Sequence, residues 1–83
     1  MTTDSLILTG RIQEVLAQAL EVPADMVVAD LQFGDLPQWD SMGHMEVMMH
    51  LEEHFGIEIN ADTIAALTSI PAICKYIQED QHV

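Results

Sequence analysis

Apolar positions Leu8, Ile12, Val15, Leu16 and Ala19 recur at i, i+4, i+7, i+8 and i+11, the spacing of one buried stripe along a helix. Thr3, Asp4 or Ser5 is placed to cap this helix, and it should end before Pro23. Residues 22–40 then form a long connection containing Pro23, Gly34 and Pro37, with Leu31, Phe33, Leu36 and Trp39 spaced through it. So long a connection in a small domain is functional or packed by its own side chains. These four apolar residues are therefore expected to pin it across the helices, with Trp39 as a core anchor. A second helix over residues 41–55 should stop at Gly56, a residue type suited to the left-handed position after a helix. Ile57-Glu58-Ile59 reads as a short extended link, after which Asn60 or Asp62 opens a short helix to about Leu67. Ser69 caps a last helix with Pro71 in its first turn and Ile73, Cys74 and Ile77 on one side. The pattern predicts an all-α fold over residues 1–83 as a single domain. It is a small four-helix bundle, three main helices plus one short helix, with a long loop after the first.

The second helix carries two apolar stripes. With Met42 at zero and steps of about 100° per residue, Val47, Met48, Leu51 and Phe55 fall between about 140° and 240°. Met42, Met45 and Met49 fall on the opposite side, between about 300° and 360°. A helix in a small bundle needs one buried stripe. The methionine stripe, flanked by Glu46, Glu52 and Glu53, is expected to be a docking face, because methionine adapts to varied partners.

Charge narrows the partners. The 83 residues contain 14 Asp and Glu against only Arg11 and Lys75, for a net charge of −12. Nucleic-acid binding needs Lys and Arg to displace counterions, and anionic membrane surfaces attract the same residues, so both are disfavoured. A basic protein partner is the natural complement. With 49% hydrophobic residues, three prolines and four glycines, the chain is expected to fold. It should bury only roughly 60–65% of its unfolded surface, which leaves little room for a deep catalytic cavity. The single Cys74 excludes an internal disulfide and reads as a small core residue. No run approaches the ~18 apolar residues of a membrane span and no signal-like segment opens the chain, so a cytoplasmic monomer is expected. A chain that opens on Met1 and is this short is expected to stand alone, outside any larger synthase.

Two enzyme-like patterns fall short of a catalytic site. His50-Leu51-Glu52-Glu53-His54 matches H-x-x-E-H, with both histidines on one helix side, but a zinc site needs a third ligand, an open position and a cavity. Asp40-Ser41 with His44 nearby has the residue types of a hydrolase, but no G-x-S-x-G turn accompanies them. His44 falls near the core edge and reads as a packed or hydrogen-bonded side chain. Asp40 or Ser41 is a helix cap. One cap needs only one of them, and a spare hydroxyl at a helix N-terminus is a favourable place for a phosphate group.

At this point the sequence resembles the acyl carrier protein family. Asp40-Ser41-Met42 looks like that family's Asp-Ser-Leu signature, and "EVMMHLEEHFGIEI" followed by "NADTIAALTSIPAICKYI" is similar to its later helices. The resemblance implies that Ser41 receives a 4′-phosphopantetheine arm from coenzyme A through a phosphopantetheinyl transferase, with Asp40 beside it. The arm would hold an acyl group as a thioester, and the protein would catalyse nothing itself. It also implies partner contact at Asp40, Met42, Met45, Glu46, Met49, Glu52 and Glu53. The partners would be an acyl-loading enzyme and a ketosynthase or acyltransferase with basic docking patches.

The details bear on the pathway. Gly43-His44 stand where fatty-acid carriers commonly place an acidic residue and a threonine. Trp39 before Asp40 looks like discrete carriers of polyketide and related specialised pathways, and the Gly-Gly-His-Ser of peptidyl carriers is absent. The expectation is a free-standing carrier of a polyketide or other specialised, fatty-acid-like pathway. Asp-Ser-Met-Gly also resembles D-alanyl carriers, so a D-alanyl or other aminoacyl carrier stays open, as does an unmodified interaction module of the same fold.

Overall fold

A computed structural model describes residues 3–81 of the chain. Among the described residues there are four α-helices: α1 (Thr3–Leu20), α2 (Ser41–Phe55), α3 (Ala61–Ala66) and α4 (Ile70–Gln81). Three are long and one is short, as the periodicity predicts, and no strand is present among the described residues. None of these helices is long and apolar enough to cross a membrane.

The helix ends follow local chemistry. α1 closes at Glu21, a non-glycine residue held at φ 57°. The cap expected for α1 at Thr3, Asp4 or Ser5 lies outside the residues whose side chains are described. α2 ends at Gly56, whose φ of 71° is left-handed and whose amide donates to the Glu52 carbonyl at 2.8 Å. Asn60, not Asp62, opens α3: its side chain accepts from the Thr63 amide while the Thr63 hydroxyl accepts from the Asn60 amide, a reciprocal cap. The Ser69 hydroxyl accepts from the Ala72 amide at the start of α4.

The core gathers Ile12, Val15, Leu16 and Ala19 from α1, Val47, Met48, Leu51 and Phe55 from α2, and Ile70, Ile73 and Ile77 from α4. α1 packs against both α2 and α4, while α3 touches α2. The Arg11 guanidinium lies 5.1 Å above the Phe55 ring and joins α1 to the end of α2. Cys74 is only half-buried at the edge of this core, where its sulfur accepts from the Thr9 hydroxyl at 3.6 Å.

The long connection is tied down at several points. A 3₁₀ turn at Ala24–Met26, which the periodicity does not reveal, follows Pro23. The Gln13 amide donates to the Val27 carbonyl at 2.6 Å, fixing the connection to α1. Phe33 donates its amide to Thr68 and Ile70 donates to Leu31, at 2.8 and 3.0 Å, which fixes it to the start of α4. Leu31 and Trp39 are buried and Leu36 packs against the core. Phe33 departs from expectation: 42% of it is exposed, because its backbone serves the link to Thr68 while its side chain turns outward.

Gly10 lies within α1 with open space where a side chain would sit. Glycine in a helix interior costs roughly 0.5–1 kcal/mol relative to alanine. Gly10→Ala should therefore raise the free energy of urea unfolding by about that amount, roughly 0.5–1 kcal/mol.

Candidate functional site

The start of α2 is set by Asp40. Its Oδ1 accepts from the Gly43 amide at 2.9 Å, and its backbone carbonyl accepts from the His44 amide at 2.7 Å. Asp40 thus supplies the cap and Ser41 takes the first helical position, exposed, with its hydroxyl outside the capping pattern. The first amides of any helix lack intrahelical partners, so the start of this 15-residue helix presents N–H groups and the positive end of its dipole beside that hydroxyl. An exposed hydroxyl in this setting fits a phosphate ester.

Gly43 is required by packing. A Cβ here would run into the Gln38 carbonyl oxygen and press within 3.2 Å of the Leu20 side chain. The end of α1 and the last turn of the connection thus close directly on the backbone of α2. In the sequence Gly43 shows only as a missing carboxylate; its reason is a contact between three separate segments.

Trp39 and His44 flank Ser41 on the inside. Trp39 is 0% exposed and His44 is 5% exposed. The indole N–H donates to Nδ1 of His44 at 3.0 Å, so the ring carries its proton on Nε2, which donates to the Ile64 carbonyl at 2.8 Å. The bridge runs from the connection through α2 to α3. A buried donor or acceptor left unpaired costs about 1–3 kcal/mol, and every buried side-chain N and O among the described residues is paired. The Phe33 ring packs edge-on to both, 5.6 Å from the His44 ring and 6.4 Å from the indole. His44 is thus the packed, bonded residue that its helical position predicts.

Next to Ser41 lies an open depression of about 440 Å³ lined by Phe33, Ser41, His44, Met45, Ile64 and Thr68. Phe33, Ile64 and Thr68 come from the connection, α3 and the link after α3, so no periodicity in one helix could reveal them.

The two stripes of α2 separate cleanly. Val47, Met48 and Leu51 are fully buried, while Met42 is 81%, Met45 42% and Met49 54% exposed. Met45 shares the wall of the depression with Phe33 of the connection and Ile64 of α3 and is partly covered, while Met42 and Met49 stay more than half exposed. Glu46, Glu52 and Glu53 are exposed beside them. His50 and His54 stack with ring centroids 6.3 Å apart, and Nδ1–H of His50 donates to the Glu46 carbonyl at 2.8 Å. Among the described residues no three His, Cys, Asp or Glu side chains converge as a metal site.

Gly43→Ala should destabilise the fold by about 1–3 kcal/mol in urea unfolding, the opposite sign to Gly10→Ala, because the Gln38 carbonyl must move.

Comparisons with known proteins agree with this arrangement. The family of the phosphopantetheine attachment site matches residues 10–77. An acyl carrier protein of Helicobacter pylori is 33% identical over 70 residues, 84% of this chain and 90% of that protein. One from Zymomonas mobilis is 33% identical over 69 residues, 83% of this chain and 88% of that protein. Acyl carrier protein 3 of Ralstonia nicotianae is 29% identical over 68 residues, 82% of this chain and 78% of its own length. The chain belongs to the acyl carrier proteins, and it is a carrier and not a catalyst, with covalent 4′-phosphopantetheine as its cofactor and a phosphopantetheinyl transferase and biosynthetic enzymes as its partners.

Proposed function

We propose that Ser41 is the residue that bears the 4′-phosphopantetheine, and that residues 1–83 act as one carrier domain in a polyketide or other specialised, fatty-acid-like pathway. The observation that carries the reading is the division at the start of α2: Asp40 takes the cap and leaves the Ser41 hydroxyl exposed on the first turn. When bound, the group supplies a thiol that holds an acyl cargo as a thioester. The chain's own residues do the rest. Asp40 fixes the turn, the first amides of α2 complement the negative phosphate, and the Trp39–His44 bond holds the segment from below. Trp39 before Asp40, in place of a glycine-rich run, favours the specialised pathway over a peptidyl one.

Partner contact falls to the outer face of α2. Met42, Met45 and Met49 offer apolar area, and Glu46, Glu52 and Glu53 supply the steering charge for basic patches on the transferase, the acyl-loading enzyme and a ketosynthase or acyltransferase. A net charge of −12 disfavours self-association through this face, which supports a monomer, and the absence of basic clusters leaves nucleic acid an unfavourable partner.

Intact mass before and after incubation with coenzyme A and a broad-specificity phosphopantetheinyl transferase tests the attachment. The wild-type chain should gain one phosphopantetheinyl group. Ser41→Ala should gain none while keeping its helical circular dichroism; modification of the alanine variant would move the site elsewhere. In the same assay Glu46→Lys combined with Glu53→Lys should slow loading by about 10-fold at low salt, with the deficit shrinking as salt screens the charges. A deficit that is unchanged by salt would argue against steering.

A further inference from the structure

His50 and His54 stand one turn apart on the flank of α2, and neither belongs to the core or to the Ser41 turn. Four residues of helix rise about 6 Å, and the two ring centroids lie 6.3 Å apart with their planes only 15° from parallel. The rings therefore face each other on one side of the helix. The bond from Nδ1–H of His50 to the Glu46 carbonyl puts the proton of that ring on Nδ1 and leaves the lone pair on Nε2. Metal-ligating histidines donate their other ring N–H to a carbonyl or carboxylate in this way, which fixes the tautomer and makes the ligating nitrogen more basic. His50 is half-buried and held by this bond, while His54 is exposed, so its ring has room to turn toward its neighbour.

The surroundings suit a cation. Glu46 lies one turn before His50, Glu53 directly precedes His54, and both are exposed. Arg11 and Glu14 share a shallow depression of about 150 Å³ with His54, one charge of each sign, and the Arg11 guanidinium lies over the Phe55 ring. The chain as a whole carries −12. Of the other two histidines, His44 has both nitrogens bonded, and His82 lies outside the described residues.

We propose that His50 and His54 form a two-imidazole chelate for a divalent transition-metal ion from the nickel, copper and zinc end of the first row. Imidazole suits these ions, whereas magnesium and calcium take oxygen ligands. Two nitrogens bound to one ion at about 2.0–2.1 Å lie roughly 3 Å apart. The outer edges of the rings therefore close on the ion while the backbone keeps its one-turn spacing. Among the described residues no third His, Cys, Asp or Glu converges on the pair, so water fills the remaining positions. A catalytic centre needs a third protein ligand and a shaped cavity; this site holds an ion and no more. The spacing exists only in the folded helix, so the ion stabilises the fold. None of this depends on Ser41 being the attachment point.

The test uses the tag-free, unmodified full-length chain, which carries no arm thiol, with Ni²⁺ as the probe and excess Mg²⁺ to occupy the carboxylates. Calorimetric titration and native mass should show one Ni²⁺ per chain. The melting midpoint should rise by at least about 5 °C at a hundredfold excess over the dissociation constant. His50→Gln and His54→Gln should each weaken binding on the order of 100-fold, because the second ligand of a chelate binds as an intramolecular step. Both variants should keep their helical circular dichroism, and His82→Gln should bind like the wild type. Equal binding by the wild type and both α2 variants would mark an adventitious ion only, held by the acidic surface, and would overturn the chelate. Weakening by only one of the two substitutions would also overturn it, as would loss confined to His82→Gln. No binding of Ni²⁺ in the presence of Mg²⁺ would remove the site altogether.

Discussion

The hydrogen bond from the Trp39 indole to His44 is the constraint on which the rest of the site depends. Two polar rings sit in the interior of a small, thin core, and each must be paired to remain there. Pairing works only if three segments hold one register: the end of the connection that carries Trp39, the first turn of α2 that carries His44, and α3, whose Ile64 carbonyl accepts from the one imidazole N–H, at Nε2. Ser41 lies in sequence between the two rings. It is exposed, but it is anchored from both sides by buried neighbours. Exposed positions on a loop are usually mobile; Ser41 instead opens a capped helix.

The capping arrangement and the glycine act in the same direction. Asp40 satisfies the Gly43 amide, and Gly43 in turn lets the Gln38 carbonyl lie against the helix. The connection therefore closes on α2 at its backbone, where a side chain would hold it away. Leu20 reaches the same spot from α1. The first turn of α2 is thus the meeting point of the two halves of the chain, which is why a connection of nineteen or so residues can be long yet held in place at Val27, Leu31, Phe33 and Trp39.

Much of this was legible in the sequence, because it depends on periodicity and on local caps. The helices, the Gly56 stop, the opening of α3 at Asn60 or Asp62, the Ser69 cap and the two faces of α2 all follow from spacing within single segments, and the structure decides for Asn60. His44 as a bonded residue and Trp39 as an anchor were also within reach, since a position on the helical wheel and a large indole each carry information alone. What was not legible is what arises between segments. Phe33 has the composition of a core residue, yet its backbone is recruited by Thr68 and its ring is turned out onto the His44 face. The 3₁₀ turn, the walls of the depression and the reason for Gly43 are likewise products of chain crossings, which no period of 2 or 3.6 encodes.

The thinness of the core explains how α2 divides its work. In so small a domain the inner face of α2 is fully committed: Val47, Met48 and Leu51 have no exposure left to lose, and His44 spends both nitrogens on holding the bundle. Any recognition by α2 must therefore use its outer face, and that face needs apolar area to bind. Exposing Met42, Met45 and Met49 together would invite self-association in a neutral protein. The neighbouring glutamates and a chain-wide charge of −12 counter it through repulsion between copies. The same charge attracts a basic partner, so one electrostatic feature serves both ends. On the proposed docking reading, it keeps the apolar face free until a surface of opposite sign arrives, and then speeds the encounter.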